Sequence, residues 1–333
     1  MSNIKAAITA VGAFAPEYRL TNAILETMVD TNDEWIISRT GIKERRILKD
    51  ADKGTSYLAI QAAKDLIKSS NLDPSTIDLV LVATITPDMP VASTSAFVAS
   101  EIGAVNAFSY DLMAACSGFL FGMSTATSYI ESGRYKKVLL IGADKMSSII
   151  NYEDRATCII FGDGAGAVLF ESNSEDYGFE DEILLSDGIG RNFLKIDAGG
   201  SLLPSSHETV DNKQHYVFQD GKNVFKYAVS KMADVTEQIV KRNNLTNEDI
   251  DWLVPHQANK RIIDATARRV DLPEEKVMIN IHKYGNTTSA TLPLLLKEYE
   301  TQLKKGDRLV FAAFGGGFTW GSILLTWAYD KQT

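Results

Sequence analysis

Two stretches of this chain repeat each other, and that repeat limits the fold more than any other feature. Asn71-Leu-Asp-Pro-Ser-Thr-Ile-Asp-Leu-Val reads like Asn244-Leu-Thr-Asn-Glu-Asp-Ile-Asp-Trp-Leu, with Ile77 and Ile250 lying 173 residues apart. A second match keeps the order. Cys116-Ser-Gly leads into an apolar helical run and then Gly133-Arg-Tyr-Lys-Lys-Val-Leu-Leu, while Asn286-Thr-Thr-Ser leads into another and then Lys305-Gly-Asp-Arg-Leu-Val-Phe. Val138 and Leu309 are 171 apart. Two matches in one order predict two similar halves, residues 1–172 and 173–333, meeting at the polar stretch 171–176.

Each half alternates strand-like and helix-like runs. Leu79–Thr84, Val138–Gly142, Ala167–Phe170 and Leu309–Phe314 read as buried strands, and Ser56–Ser69 and Val224–Arg242 as amphipathic helices. The fold class is α/β. The repeat maps His256 onto Ala83, at the end of a strand, and puts Asn286 within a residue or so of the counterpart of Cys116. Ligands of α/β sheets collect beyond the carboxyl ends of strands, so the three residues are expected to share one site between the halves.

Composition narrows the function. With 45% hydrophobic and 23% charged residues, the 333-residue chain is an ordinary globular one. A net charge of −9 makes it a poor nucleic-acid binder, so an acidic partner would need a local basic patch. Only Cys116 and Cys158 occur, too few for a disulfide framework, which points to a reducing compartment. No run approaches the roughly 18 apolar residues of a membrane span. The expectation is a cytoplasmic protein that is not in a membrane.

The chemistry sits in four motifs. Cys116 follows small residues in Asp111-Leu-Met-Ala-Ala and precedes the helical run Phe119–Ile130. Unpaired N–H groups at a helix start lower a thiol pKa, so Cys116 reads as a nucleophile with room for an acyl group; a lone cysteine is more often a small buried hydrophobe. His256 ends an apolar strand in Val254-Pro-His-Gln-Ala-Asn259, and Asn286 lies in Tyr284-Gly-Asn-Thr-Thr-Ser-Ala, where a plain turn role is equally compatible. Phe314-Gly-Gly-Gly-Phe follows a strand and offers backbone N–H donors for an oxyanion, or a glycine turn. Phe161-Gly-Asp-Gly-Ala-Gly-Ala is glycine-rich but lacks the Lys-Ser/Thr ending of a phosphate loop and is not assigned to nucleotide.

Together DLMAACSGF, the HQAN at 256–259, GNTTSAT at 285–291, FGGGFTWGS at 314–322 and TNDEWIISRTGIKERR at 31–46 resemble the signatures of type III β-ketoacyl-acyl-carrier-protein synthases. The resemblance covers nearly the whole chain. It implies the thiolase fold, five α-β-α-β-α layers from two duplicated halves, and a homodimer. Thiolases would bring a second cysteine to the glycine motif, and elongating synthases a second histidine. Plant-type polyketide synthases end in a different glycine motif, and hydroxymethylglutaryl-CoA synthases bring a glutamate base. None of these is seen here.

By resemblance, Cys116, His256 and Asn286 are catalytic, and the N–H groups of Cys116 and Gly316 form the oxyanion hole. Trp35, Arg39, Arg155, Gly221, Phe225 and Asn259 bind coenzyme A. Lys226, Arg261, Arg268 and Arg269 dock an acidic carrier protein, although such arginines also make ordinary solvated faces. Phe314 lines the acyl pocket, and Val91 reaches into the partner subunit's pocket, where a residue smaller than an aromatic leaves room for branched or longer primers. The implied reaction condenses an acyl-CoA primer with malonyl-acyl-carrier-protein. It uses no metal or cofactor, because the CoA thioester and phosphopantetheine are substrates. A synthase or acyltransferase of secondary metabolism with the same triad is the alternative.

Overall fold

The continuous apolar runs do form strands buried on both faces, and nine strands build two sheets. The computed structural model describes residues 4–331. The first sheet holds β1 (Lys5–Phe14), β2 (Leu79–Ala83), β3 (Phe108–Leu112), β4 (Lys137–Asp144) and β5 (Gly164–Asn173); the second holds β6 (Gly178–Ser186), β7 (Trp252–Pro255), β8 (Arg308–Gly315) and β9 (Thr319–Thr326). Among the described residues seven helices have eight or more residues: α1 (Asp33–Thr40), α2 (Thr55–Ser70), α3 (Thr94–Glu101), α4 (Gly118–Glu131), α5 (Gly221–Arg242), α6 (Lys260–Arg269) and α7 (Thr291–Tyr299). The helix expected from Val224 begins at Gly221, because the Asp220 side chain caps the Asn223 N–H at 3.1 Å.

The strand orders are β1-β5-β4-β2-β3 and β6-β9-β8-β7. Read in parallel they are one pattern: β2 runs parallel to β4 and β7 to β8, β3 adds a further parallel strand beside β2, and the remaining neighbours are antiparallel. The register repeats too. Leu79 faces Val138 as Trp252 faces Leu309, and Val82 faces Ile141 as Pro255 faces Ala312. The counterpart of β3 shrinks to one parallel bridge, Leu253 to Val277. Left-handed backbone recurs 173 residues apart as well, at Asn71 and Asn244, Ala115 and Thr288, and Gly133 and Gly306. The offset falls to 171 only in the turn entering β8.

That pairing corrects one expectation. Ala115–Ser117 and Thr288–Ala290 are the same 3-10 turn, each entering a central helix. The counterpart of Cys116 is therefore Ser289, and Asn286 lies three residues earlier, opposite Met113. The sequence match sets Cys116-Ser-Gly beside Asn286-Thr-Thr-Ser and carries no sign of the left-handed residue that anchors each turn.

Alternation within the strands sets the layers. Val138 and Leu140 face inward, where Phe119, Leu120 and Met123 of α4 and Leu292, Leu295 and Leu296 of α7 meet Phe311, Ile323 and Leu325 of the second sheet. Leu139 and Ile141 face outward, under Leu58, Ala62 and Leu66 of α2 and Val98 of α3. Ile239 of α5 and Ile263 and Ala267 of α6 cover Leu253, Val310 and Leu324. The result is the five-layered α-β-α-β-α arrangement, with both turns at the seam.

Candidate active site

The first-half turn carries Cys116 to the start of α4. Its first bonded amides are Ser117 N–H to Ala114 O, 3.1 Å, and Gly118 N–H to Ala115 O, so the Cys116 N–H precedes the helix ladder. Gly315, ending β8, passes so close that a Cβ there would stand 2.7 Å from the Cys116 nitrogen. Only glycine fits that crossing, and it brings Gly316 against Ala115.

Asn286 is held by the glycine-rich segment that was not assigned to nucleotide. Its N–H donates to Ile160 O at 2.9 Å, and Gly162 N–H donates to its carbonyl at 3.0 Å. A Cβ on Gly162 would meet Tyr284 O at 2.4 Å, which explains the glycine. The Asn286 Oδ1 accepts the Thr288 N–H at 2.8 Å, which leaves the amide NH2 as the group to offer a ligand, and Oδ1 lies 4.0 Å from the Cys116 Sγ. His256 follows β7, its N–H bonded to Ala312 O at 2.8 Å. Its Nδ1 lies 2.7 Å from Thr291 Oγ1, and its buried Nε2 has no hydrogen-bond partner among the described residues. Cys116, His256 and Asn286 are 5%, 2% and 5% exposed, and all three line one cavity of about 600 Å3.

Beneath them lies a group the sequence reading missed. Asp144, fully buried at the end of β4, joins the halves. Its Oδ1 accepts from Thr84 Oγ1, Ile85 N and Thr86 Oγ1 at 3.0, 2.8 and 3.1 Å. Its Oδ2 accepts from the Thr288 hydroxyl, from Ser289 N at 3.2 Å and from Ser289 Oγ at 2.6 Å. Burial raises its pKa against the pull of these donors. A left-handed Thr288 is strained, and the carboxylate holds it there. A lone aspartate closing the apolar run VLLIGAD was the available signal.

Electrostatics reverses one expectation. Burial pushes the Cys116 thiol up to about 12, Asp144 adds to the rise, and the Asn286 and backbone hydrogen bonds pull the other way. The helix start does not outweigh the loss of water, so the resting group is a thiol. Burial also lowers the His256 pKa to about 3, leaving a neutral imidazole. Because a thiol pKa raised above the ordinary range keeps the thiolate scarce, alkylation of Cys116 by iodoacetamide is expected to rise about tenfold per pH unit between roughly pH 7 and 9. Peptide mapping, which separates Cys116 from Cys158, reads this; a plateau beginning below about pH 8 would contradict it.

The sequence model of 3-oxoacyl-[acyl-carrier-protein] synthase III matches residues 110–188, and that of its C-terminal part residues 240–327. A β-ketoacyl-[acyl-carrier-protein] synthase III of Phocaeicola vulgatus is 56% identical over 330 residues, 99% of each chain. The chain belongs to the β-ketoacyl-[acyl-carrier-protein] synthase III family. The crystal structure of the Aquifex aeolicus VF5 synthase III, 39% identical, matches with a TM-score of 0.89 over 97% of this chain and 100% of that one. The priming β-ketosynthase of the R1128 polyketide pathway shares the thiolase fold at a TM-score of 0.90, over 99% and 98% of the two chains, but only 30% identity. The chain is thus an acyltransferase-type condensing enzyme, and the secondary-metabolism alternative is not favoured.

The synthase cavity opens at the ends of α1, α5 and α6. Trp35, Arg39, Gly221, Phe225, Asn259 and Arg261 line it, and Phe314 lies deeper, near Cys116. Arg155 does not line it; its guanidinium stands 5.6 Å over the Trp35 ring, outside the mouth. Asn259 is committed at both ends of its amide, capping α6 through Arg261 N at 2.9 Å and donating to Arg39 O at 2.8 Å. Arg261 stacks over Phe225 at 4.6 Å. Lys226 and Arg268 are exposed nearby, whereas Arg269 is paired with Asp234 and Glu237 of α5. Lys222, also at the mouth, was missed because a lysine near a helix start carries no pattern. Val91 is fully exposed in left-handed backbone and does not line this chain's own cavity.

Proposed function

We propose that this synthase joins an acyl-CoA primer to malonyl-acyl-carrier-protein, giving 3-oxoacyl-acyl-carrier-protein, CoA and CO2, and so initiates type II fatty acid synthesis. The observation that carries the reading is the convergence of a thiol, an imidazole and a carboxamide at the base of one cavity with a cationic, aromatic mouth. In the first half-reaction the Cys116 sulfur attacks the primer carbonyl, the C–S bond to CoA breaks, and the proton leaving Cys116 ends on the departing CoA sulfur. The N–H groups of Cys116 and Gly316 receive the oxyanion. In the second, the malonyl C–CO2 bond breaks and CO2 leaves. His256 Nε2 and the Asn286 NH2 donate to the enolate oxygen, and the carbanion displaces Cys116, which regains a proton from solvent. Loss of CO2 drives the sequence, so the chemistry calls for no metal or cofactor.

Trp35, Arg39 and Phe225 suit the adenine and phosphates of CoA, with Gly221 and Asn259 shaping the mouth and Arg155 backing Trp35 from outside it; Lys226, Arg261 and Arg268 suit an acidic carrier protein. Arg269 belongs to that docking set only if it leaves its ion pairs. A homodimer is favoured by exposed Met89, Val91, Phe97, Val105, Phe108 and Met113 around the open edge of β3, a surface that an isolated chain would leave wet. Val91 would then enter the partner's pocket. Two unpaired, buried thiols suit the reducing cytoplasm. The test is an assay with malonyl-carrier protein and either acetyl-CoA or isobutyryl-CoA. Both are expected to give 3-oxoacyl product with equimolar CoA and CO2. No product from either would refute the activity, and strict acetyl preference would refute the role of Val91.

A further inference from the structure

The reading above requires His256 to donate from Nε2, yet a neutral imidazole carries one proton, and it must sit on that nitrogen. Nothing within the histidine decides this. The structure assigns the decision to Thr291: its hydroxyl donates to His256 Nδ1 and so fixes the proton on Nε2. This inference rests on the donor role proposed for His256 and names the residue that makes it possible.

The Thr291 Oγ1 lies 2.7 Å from His256 Nδ1 and 3.0 Å from Thr288 O, and it has one proton to give. Two observations place that proton toward the ring. Thr288 O already accepts the backbone N–H of Thr291, so the carbonyl is not orphaned when the hydroxyl turns away. The shorter contact also has the length of an O–H donor, whereas an N–H donor usually sits nearer 2.9–3.0 Å. Thr291 is 2% exposed at the first position of α7, so the hydroxyl has no water to choose instead. The Thr288–Ala290 turn that carries it hangs from Asp144, so one buried carboxylate sets both Asn286 and the tautomer of His256. Thr291 touches no reacting atom; it is a positioning residue.

The test needs no variant to begin. In protein labelled with 15N at its four histidines, two-bond proton–nitrogen correlations read each tautomer, and loss of one set in His256→Gln assigns the site. Nε2–H at His256 is expected, and Nδ1–H would overturn the assignment. Thr291→Val keeps the shape and removes the hydroxyl. It is expected to lower CO2 release from malonyl-carrier protein on the order of tenfold. Acylation of Cys116 stays unchanged, and Thr291→Ser restores the release. Full CO2 release in a folded Thr291→Val would also overturn the assignment. Full release in His256→Ala, with Nε2–H in the parent, would instead remove the donor role and leave the tautomer standing.

Discussion

His256→Ala and Asn286→Ala each slow CO2 release from malonyl-carrier protein by about 10²–10³-fold, the cost of removing one preorganised donor from a developing oxyanion. The two side chains reach one cavity from different second-half elements, β7 and the turn before α7, and each is oriented by a partner that leaves one polar group unspent. Both are buried, so each hydrogen bond forms in a water-poor space and costs little reorganisation. Because they serve the same oxygen, the double variant is expected to lose less than the product of the single losses. Asn286→Asp is expected to be no better than alanine, since a carboxylate has no proton to give. His256 stays neutral above about pH 3, so its protonation leaves no inflection in the rate between roughly pH 6 and 8. Labelled CO2 release measures all of this, and undiminished release in either single variant would end the donor assignment.

Cys116→Ala abolishes condensation while leaving CO2 release from malonyl-carrier protein measurable. The sulfur is the only proposed acyl carrier, whereas decarboxylation needs only His256 and Asn286. Cys158 cannot substitute, since it packs in a separate apolar cluster and does not line the cavity that holds Cys116, His256 and Asn286. Loss of CO2 release together with condensation would tie the thiol to both half-reactions and contradict the division of labour.

Much of this was legible in the sequence because a duplication writes its pattern twice. The Ile-Asp match at Ile77 and Ile250 gave the offset that the strand registers obey, and the strand-end position of His256 followed from it. The turns were harder. A left-handed Ala115 or Thr288 leaves no mark in composition, so Asn286 was paired with Cys116 where Ser289 is its counterpart. The thiol pKa was missed for a different reason. Helix-start polarity can be read from neighbours in the chain, but the rise comes from burial of Cys116 between the halves and from the charge of Asp144, both set by residues distant in sequence. Arg269 looked like part of a basic face because its partners, Asp234 and Glu237, lie on another helix more than thirty residues away.

The most direct test is the mass of the intact protein after brief incubation with acetyl-CoA alone. The wild type is expected to gain one acetyl group, mapped to Cys116, with one CoA released per site, and Cys116→Ala to gain none. An adduct that persists in Cys116→Ala, or condensation proceeding in a wild type that never acquires one, would contradict the account.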